Sequence, residues 1–173
     1  MEVKLRRVPP EEKSLLFDMM QVYIAEFSRF EPVEPDEKGI YPYDAFDAYW
    51  RDPARIPFFI TVDGQNAGLI LVNRNHYVRL WRESRSIAEF FVLPAYRRMG
   101  VGCAAARLLT ESMGGWWQLM MHPKNLPSHT FWRRTFQYPG ALHLRIRRGP
   151  RWYDGGLRGQ VMTFKAVKDY CGQ

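Results

Sequence analysis

The stretch F-F-V-L-P-A-Y-R-R-M-G-V-G-C-A-A-A-R-L-L, residues 90–109, decides how this chain is read. Its apolar start extends back to Ile87 and predicts a buried strand, which Pro94 ends. Gly100 to Met113 reads as a helix with Val101, Ala104, Ala105, Leu108 and Leu109 on one face, closed by Gly114 and Gly115. Two glycines two residues apart let the chain turn sharply and leave backbone N–H groups unobstructed. Those groups are the unpaired donors of a first helical turn, where the dipole adds about half a positive charge. A phosphate or diphosphate is the natural guest, and Arg97 and Arg98 can add charge-assisted hydrogen bonds. The G-x-x-x-x-G-K-S/T spacing of a nucleoside-triphosphate loop is absent. So is a third glycine of the dinucleotide fingerprint, because position 105 is alanine. A G-x-G pair also serves a helix packed tightly on a strand, so both readings stand at this level.

Working outward, Val3 and Leu5 alternate with charged residues and predict a first strand. Pro9 and Pro10 before Glu11 and Glu12 start an amphipathic helix over 10–28. Residues 29–42 hold three prolines and a glycine and form a long loop, a candidate lid on the substrate side. Phe46, Tyr49 and Trp50 mark a short second helix. Phe58–Val62, Asp63–Gly64 and Ala67–Val72 spell a hairpin. After the loop 73–85 and the central strand and helix come a strand at 117–121, a helix at 127–136, and strands at 141–147 and 160–166. The order β, α, α, β, β, β, α, β, α, β, β predicts an α/β fold: one mixed sheet flanked by helices, with one parallel crossover over 87–121.

A chain of 173 residues suits a single domain spanning 1–173. No window approaches the ~20 apolar residues of a membrane span, and the first residues lack a signal-peptide core, so a cytoplasmic protein is expected. The two cysteines, Cys103 and Cys171, lack metal-ligand spacing and read as free thiols; no metal is expected. The net charge of +7 admits nucleic acid or a polyanionic small molecule as partner. The arginines lie in separate places and no nucleic-acid module is recognisable, so a solvated basic surface is preferred to a nucleic-acid site.

R-R-M-G-V-G at 97–102 resembles the Q/R-x-x-G-x-G/A coenzyme A motif of the GCN5-related N-acetyltransferase superfamily. V-L-P (92–94) and A-A-A-R-L-L (104–109) match its flanks. Asn125 followed by Phe131–Trp132 resembles the second motif, N-x-x-A-x-x-F-Y, with Ser128 where alanine is usual. The element order agrees with that fold over the whole chain. I-A-E-F-F-V-L-P-A-Y-R-R-M-G-V-G with F-W-R-R looks most like an uncharacterised branch of predicted acetyltransferases.

The resemblance implies acetyl-CoA as co-substrate and transfer of its acetyl group to a primary amine of an unknown small molecule or protein. It implies that the strand ending at Phe91 and Val92 splays from the strand 117–121, leaving backbone groups for the pantetheine arm. It places the pyrophosphate on the amides of Arg98, Met99, Gly100, Val101, Gly102 and Cys103, beside Arg97, and the pantetheine on Asn125. It has a backbone N–H near Val92 polarise the acyl carbonyl. A homodimer is possible.

Direct transfer needs a base for the amine proton. Glu89 is the leading candidate. It alternates with Phe90, faces away from Phe90 and Val92, and sits on an apolar strand where a carboxylate is costly without purpose. His122, at the next strand end, is the alternative. Many family members protonate the leaving thiolate with a Tyr where this chain has Trp132, whose indole is a poor acid. Ser128 or Tyr138 replaces it, or the thiolate, from a thiol of pKa near ~8.5, leaves unaided. Cys103 at the helix start is a packing residue before it is a nucleophile. Acids in the loop 29–42, with Asp44 and Asp47, suit a cationic acceptor or a solvated loop. Tyr41, Tyr43, Phe46, Tyr49 and Trp50 wall an acceptor pocket or belong to the core. A non-enzymatic acyl-CoA-binding module is the alternative to an enzyme.

Overall fold

The computed structural model describes residues 1–80 and 82–170; Cys171, expected as a free thiol, lies outside them. The elements in chain order are β1 (Val3–Arg7), α1 (Lys13–Phe27), β2 (Ile56–Val62), β3 (Gln65–Asn73), β4 (Ser84–Val92), α2 (Val101–Met113), β5 (Gly115–Met121), α3 (Leu126–Phe136), β6 (Ala141–Arg148) and β7 (Gln160–Ala166). Pro10–Glu12 and Phe46–Trp50 are 3-10 turns, so the expected second helix is tighter than an α-helix. The sheet runs β1-β2-β3-β4-β5-β7-β6. β4 and β5 are parallel, joined through α2, and the other pairs are antiparallel. This is the expected mixed α/β architecture.

Strand alternation divides the core. Leu69, Leu71 and Phe59 pack against Leu16, Met20 and Ile24 of α1. Their neighbours Ile70, Val72 and Ile60 pack on the opposite face with Val101, Ala105 and Leu109 of α2. Asp63 (φ 48) and Gly64 (φ 84) close the β2–β3 hairpin with two left-handed residues, as Asp-Gly predicts. β4 begins at Ser84, three residues before the apolar run. Gln118 satisfies this polar start: its Nε2 donates to Ser84 Oγ at 2.9 Å, and its amide closes on both backbone groups of Val78. Among the described residues no helix is long and apolar enough to cross a membrane.

One irregularity positions the site. Leu71 pairs with Glu89 but Val72 pairs with Ile87, so Ala88 is an extra residue on β4. Such a bulge bends its strand and shifts side chains between faces. Ile87 packs on the α2 side, whereas Ala88 and Phe91 lie on the α1 side. Glu89, opposite Leu71, therefore also faces α1, away from Phe90 and Val92.

Candidate active site

β4 and β5 are paired only from Ser84–Trp116 to Ile87–Leu119. Beyond the bulge they diverge, as expected for the splayed pair. Ala88 to Val92 and Met120 to His122 wall a cavity of about 760 Å³. The register tells which backbone groups face it. Leu93 N–H donates to Ala67 O at 2.8 Å, which makes Gly68–Val92 a non-hydrogen-bonded pair. Val92, and Phe90 two residues earlier, turn their peptide groups away from β3 into the gap. Phe91 spends its own on Leu69, and its side chain is buried beside Tyr23. The expectation for Phe91 is thus corrected: it lines the cavity, but the groups free for a ligand are the peptide groups of Phe90 and the N–H of Val92, whose carbonyl accepts from Arg97.

At the cavity's other end Arg98 (φ 66) and Gly100 (φ 83) turn the chain into α2. Ala104 N–H donates to Gly100 O at 3.0 Å, and among the described residues no protein acceptor meets the amides of Arg98 to Cys103. The two glycines act differently. A Cβ on Gly100 would meet nothing within 4 Å, so its role is conformational. One on Gly102 would lie 3.2 Å from the Phe131 ring and 3.4 Å from Val92 Cγ2, so its role is close packing. The close-packing reading of the G-x-G pair thus holds at Gly102, while Gly100 serves the turn. Met99 is exposed, Val101 is buried and offers only its backbone, and Cys103 is half-buried.

Arg97 departs from its expected role. Its Nη1 and Nη2 donate to the two oxygens of Glu26 at 2.9 and 2.8 Å, and its Nε donates to Val92 O at 2.8 Å. The guanidinium ties α1 to the end of β4 and is not free to meet a diphosphate. Arg98 lines the cavity without such a partner. Asn125 is the N-cap of α3, its Oδ1 accepting from Ser128 N–H at 3.3 Å, which leaves its Nδ2 as the donor at the cavity wall.

Neither expected replacement acid is well placed. Tyr138 donates to Glu111 at 2.6 Å under Arg107, outside the cavity. Ser128 lines the cavity but donates its hydroxyl proton to Asn125 O at 2.8 Å. Trp132 is buried, edge-on to Phe90 and stacked on Phe136.

The carboxylate of Glu89 lines the cleft, half-buried. Its Oε2 accepts from Tyr23 at 2.7 Å and its Oε1 from Tyr43 at 3.0 Å. Burial raises its carboxyl above the ordinary range, and the two phenols pull it partly back. Burial and the nearby carboxylate push both phenols upward, so they stay neutral donors. His122 is committed elsewhere. Its Nδ1 accepts from Lys124 N–H at 3.2 Å, which assigns the proton to Nε2, and this nitrogen donates to Glu31 at 3.1 Å. Its one lone pair is spent, so His122 is displaced as the alternative base.

Of the five aromatics proposed for an acceptor wall, Tyr43 lines the cavity and Phe46 and Tyr49 are core. The loop 29–42 does border it, through Arg29, Phe30, Glu31, Val33 and Pro42. Sequence reasoning missed Tyr23, Tyr77 and Tyr153, and the tie from Glu31 to Asp154 N–H at 2.8 Å. Tyr23 carried a readable signal: it lies on the apolar stripe of α1 with a hydroxyl that must find a partner once buried. Among the described residues no group of three or more His, Cys, Asp or Glu is placed to hold a metal.

The fold, a seven-stranded sheet opened between its two parallel strands, is shared with solved acetyltransferases. An acetyltransferase from Thermus thermophilus superposes with a TM-score of 0.65 at 14% identity, over 95% of this chain and 97% of that one. A histone acetyltransferase HPA2 and related acetyltransferase from Corynebacterium glutamicum gives 0.67 at 14%, over 98% and 99%. AAC(6')-Ib, solved with ribostamycin and coenzyme A, gives 0.67 at 14%, over 95% and 94%. No curated protein matches the chain in sequence. The family model described as acetyltransferase (GNAT) family matches residues 17–138, more than half of the chain. The chain belongs to the acetyltransferase (GNAT) family.

Proposed function

We propose that this acetyltransferase takes its acetyl group from acetyl-CoA and passes it directly to a primary amine, with Glu89 as the base. The observation that carries this reading is the pairing, across one cleft, of the turn that brings Arg98 and Gly102 to its lining, with amides no protein acceptor meets among the described residues, and the half-buried carboxylate of Glu89. The amides and Arg98 suit the diphosphate. The gap-facing peptide groups of Phe90 and the N–H of Val92, with Asn125 Nδ2, suit the amides of a pantetheine arm. Acetyl-CoA supplies the activated thioester; a nitrogen–carbon bond forms to the acetyl carbon and the carbon–sulfur bond breaks. Val92 N–H supports the charge developing on the acyl oxygen. Glu89 accepts the amine proton, directly or through water, and the thiolate takes up a proton on release.

The test is thermal stabilisation by acetyl-CoA followed by a free-thiol assay over a panel of amines. Stabilisation with amine-dependent thiol release is expected; no shift at millimolar acetyl-CoA overturns the donor assignment. The buried Trp132 favours a second reading, an acyl-CoA-binding module without turnover. Binding of acetyl-CoA with no thiol release from any amine would select it.

A further inference from the structure

We propose that the acceptor is a small amine carrying a second positive charge, its attacking nitrogen held at Glu89 and its distal ammonium at Glu31. This rests on the acetyl-transfer reading above and names the substrate class of that cleft.

The two carboxylates come from distant parts of the chain and lie on one wall. Glu89 is bonded to Tyr23 at 2.7 Å, and the Tyr23 ring is 5.8 Å from that of Phe27. Phe27 is edge-on to His122 at 5.7 Å, and His122 is bonded to Glu31 at 3.1 Å. Tyr153 closes over this wall, its ring 4.3 Å from the imidazole. Its phenol is pushed upward first by burial, then by Glu89 and by Glu31, so both carboxylates act on the space this ring covers. All these groups line the same cavity.

Neither carboxylate is neutralised by the protein. The donors to Glu89 are two phenols, and those to Glu31 are an imidazole N–H and the backbone N–H of Asp154. Of the cavity's own cations, Arg97 and Arg29 are both turned to Glu26, at 2.8 and 3.6 Å, and Arg98 stands at the diphosphate end. Among the described residues no lysine or arginine pairs with Glu89 or Glu31. Two partly desolvated negative charges with aromatic rings between them favour a cation at each end and methylenes or ring faces in the middle. A monoamine satisfies one carboxylate only. An ω-amino acid bound by its amine at Glu89 would bring a third carboxylate towards Glu31, which like-charge repulsion penalises.

The experiment compares 1,4-diaminobutane, butylamine and 4-aminobutanoate, which share chain length and reactive nitrogen, in the thiol-release assay with saturating acetyl-CoA. The diamine should exceed butylamine in kcat/KM by about tenfold or more, with 4-aminobutanoate slowest. Glu31→Gln should bring the diamine-to-butylamine ratio towards unity. A Glu31 that merely ties loops together would lower both rates and leave their ratio unmoved. The wild-type panel decides even if the variant fails to fold. Equal rates, a faster zwitterion, or no turnover of the diamine while acetyl-CoA still stabilises the protein each overturn the proposal. Absence of stabilisation by acetyl-CoA removes the donor reading itself.

Discussion

Arg97 and Glu26 form a two-pronged ion pair, with both guanidinium Nη atoms on both carboxylate oxygens, while Arg97 Nε holds the carbonyl of Val92. One planar side chain thus fixes the end of β4 relative to α1, directly beside the peptide groups that face the cleft. A lysine keeps the charge but not the fork. Arg97→Lys is expected to raise the KM for acetyl-CoA several-fold by loosening Val92. Arg98→Ala should raise it through lost charge. The two losses separate in a salt titration: the second shrinks as ionic strength screens the arginine, and the first does not.

Glu89→Gln should lower turnover by about 10²–10⁴-fold while acetyl-CoA stabilisation survives. Its effect on stability has the opposite sign. Burial raises the Glu89 carboxyl, so the native state holds this proton more tightly than the unfolded chain. Stability from this group is present below the unfolded value and lost as pH rises through the folded value. The glutamine variant should therefore melt at or above the wild-type temperature at neutral pH. That advantage should vanish below about pH 4, where both states of the carboxyl are protonated. Differential scanning fluorimetry across pH reads it.

Tyr23 and Tyr43 stabilise the ionised form of Glu89. Tyr23→Phe removes a hydrogen bond to a charged group, worth about 1.5–3 kcal/mol. The acidic limb of the kcat profile should then move upward by about one pH unit or more. A limb unchanged in the Tyr23→Phe and Tyr43→Phe variants would mean that it reports a group other than Glu89.

Gly68 stands where β3 meets the end of β4. A Cβ there would lie 2.2 Å from Phe91 O and 3.1 Å from Val92 Cα, both backbone atoms that cannot rotate away. Gly68→Ala should destabilise the fold by about 1–3 kcal/mol or more in a denaturant titration. It should also weaken acetyl-CoA binding, because β4 must shift.

The glycines of α2 predict a contrast. Gly100 has φ 83 with free space around it, so Gly100→Ala is expected to cost about 1 kcal/mol or more in backbone strain and to misalign the exposed amides. Gly102→Ala asks only that Phe131 and Val92 yield a few tenths of an ångström. Acetyl-CoA affinity should fall further in the first variant, as calorimetry can measure.

Much of this architecture was legible in the order of residues. Hydrophobic periodicity, Asp63–Gly64 and the glycines at 100, 102 and 114 depend on each residue and its near neighbours, and they located the strands, the helices and the exposed amides. Asn125 could be read as a site residue but not as a helix cap, because its partner Ser128 also had to be placed. Glu89 was readable as an anomaly, a carboxylate in an apolar strand. Its phenol partners lie 66 and 46 residues away and were not.

The chain order by itself determined that a strand hands its end to an open helix start, since periodicity and glycine conformation act locally. Tertiary structure alone decided which groups remain available. The bulge at Ala88 and the register with β3 commit Phe91 and release the N–H of Val92. Folding likewise spends Arg97 on Glu26 and the lone pair of His122 on Lys124. A hydrogen bond has few sites and short reach, so availability is settled only when every competing partner is in place.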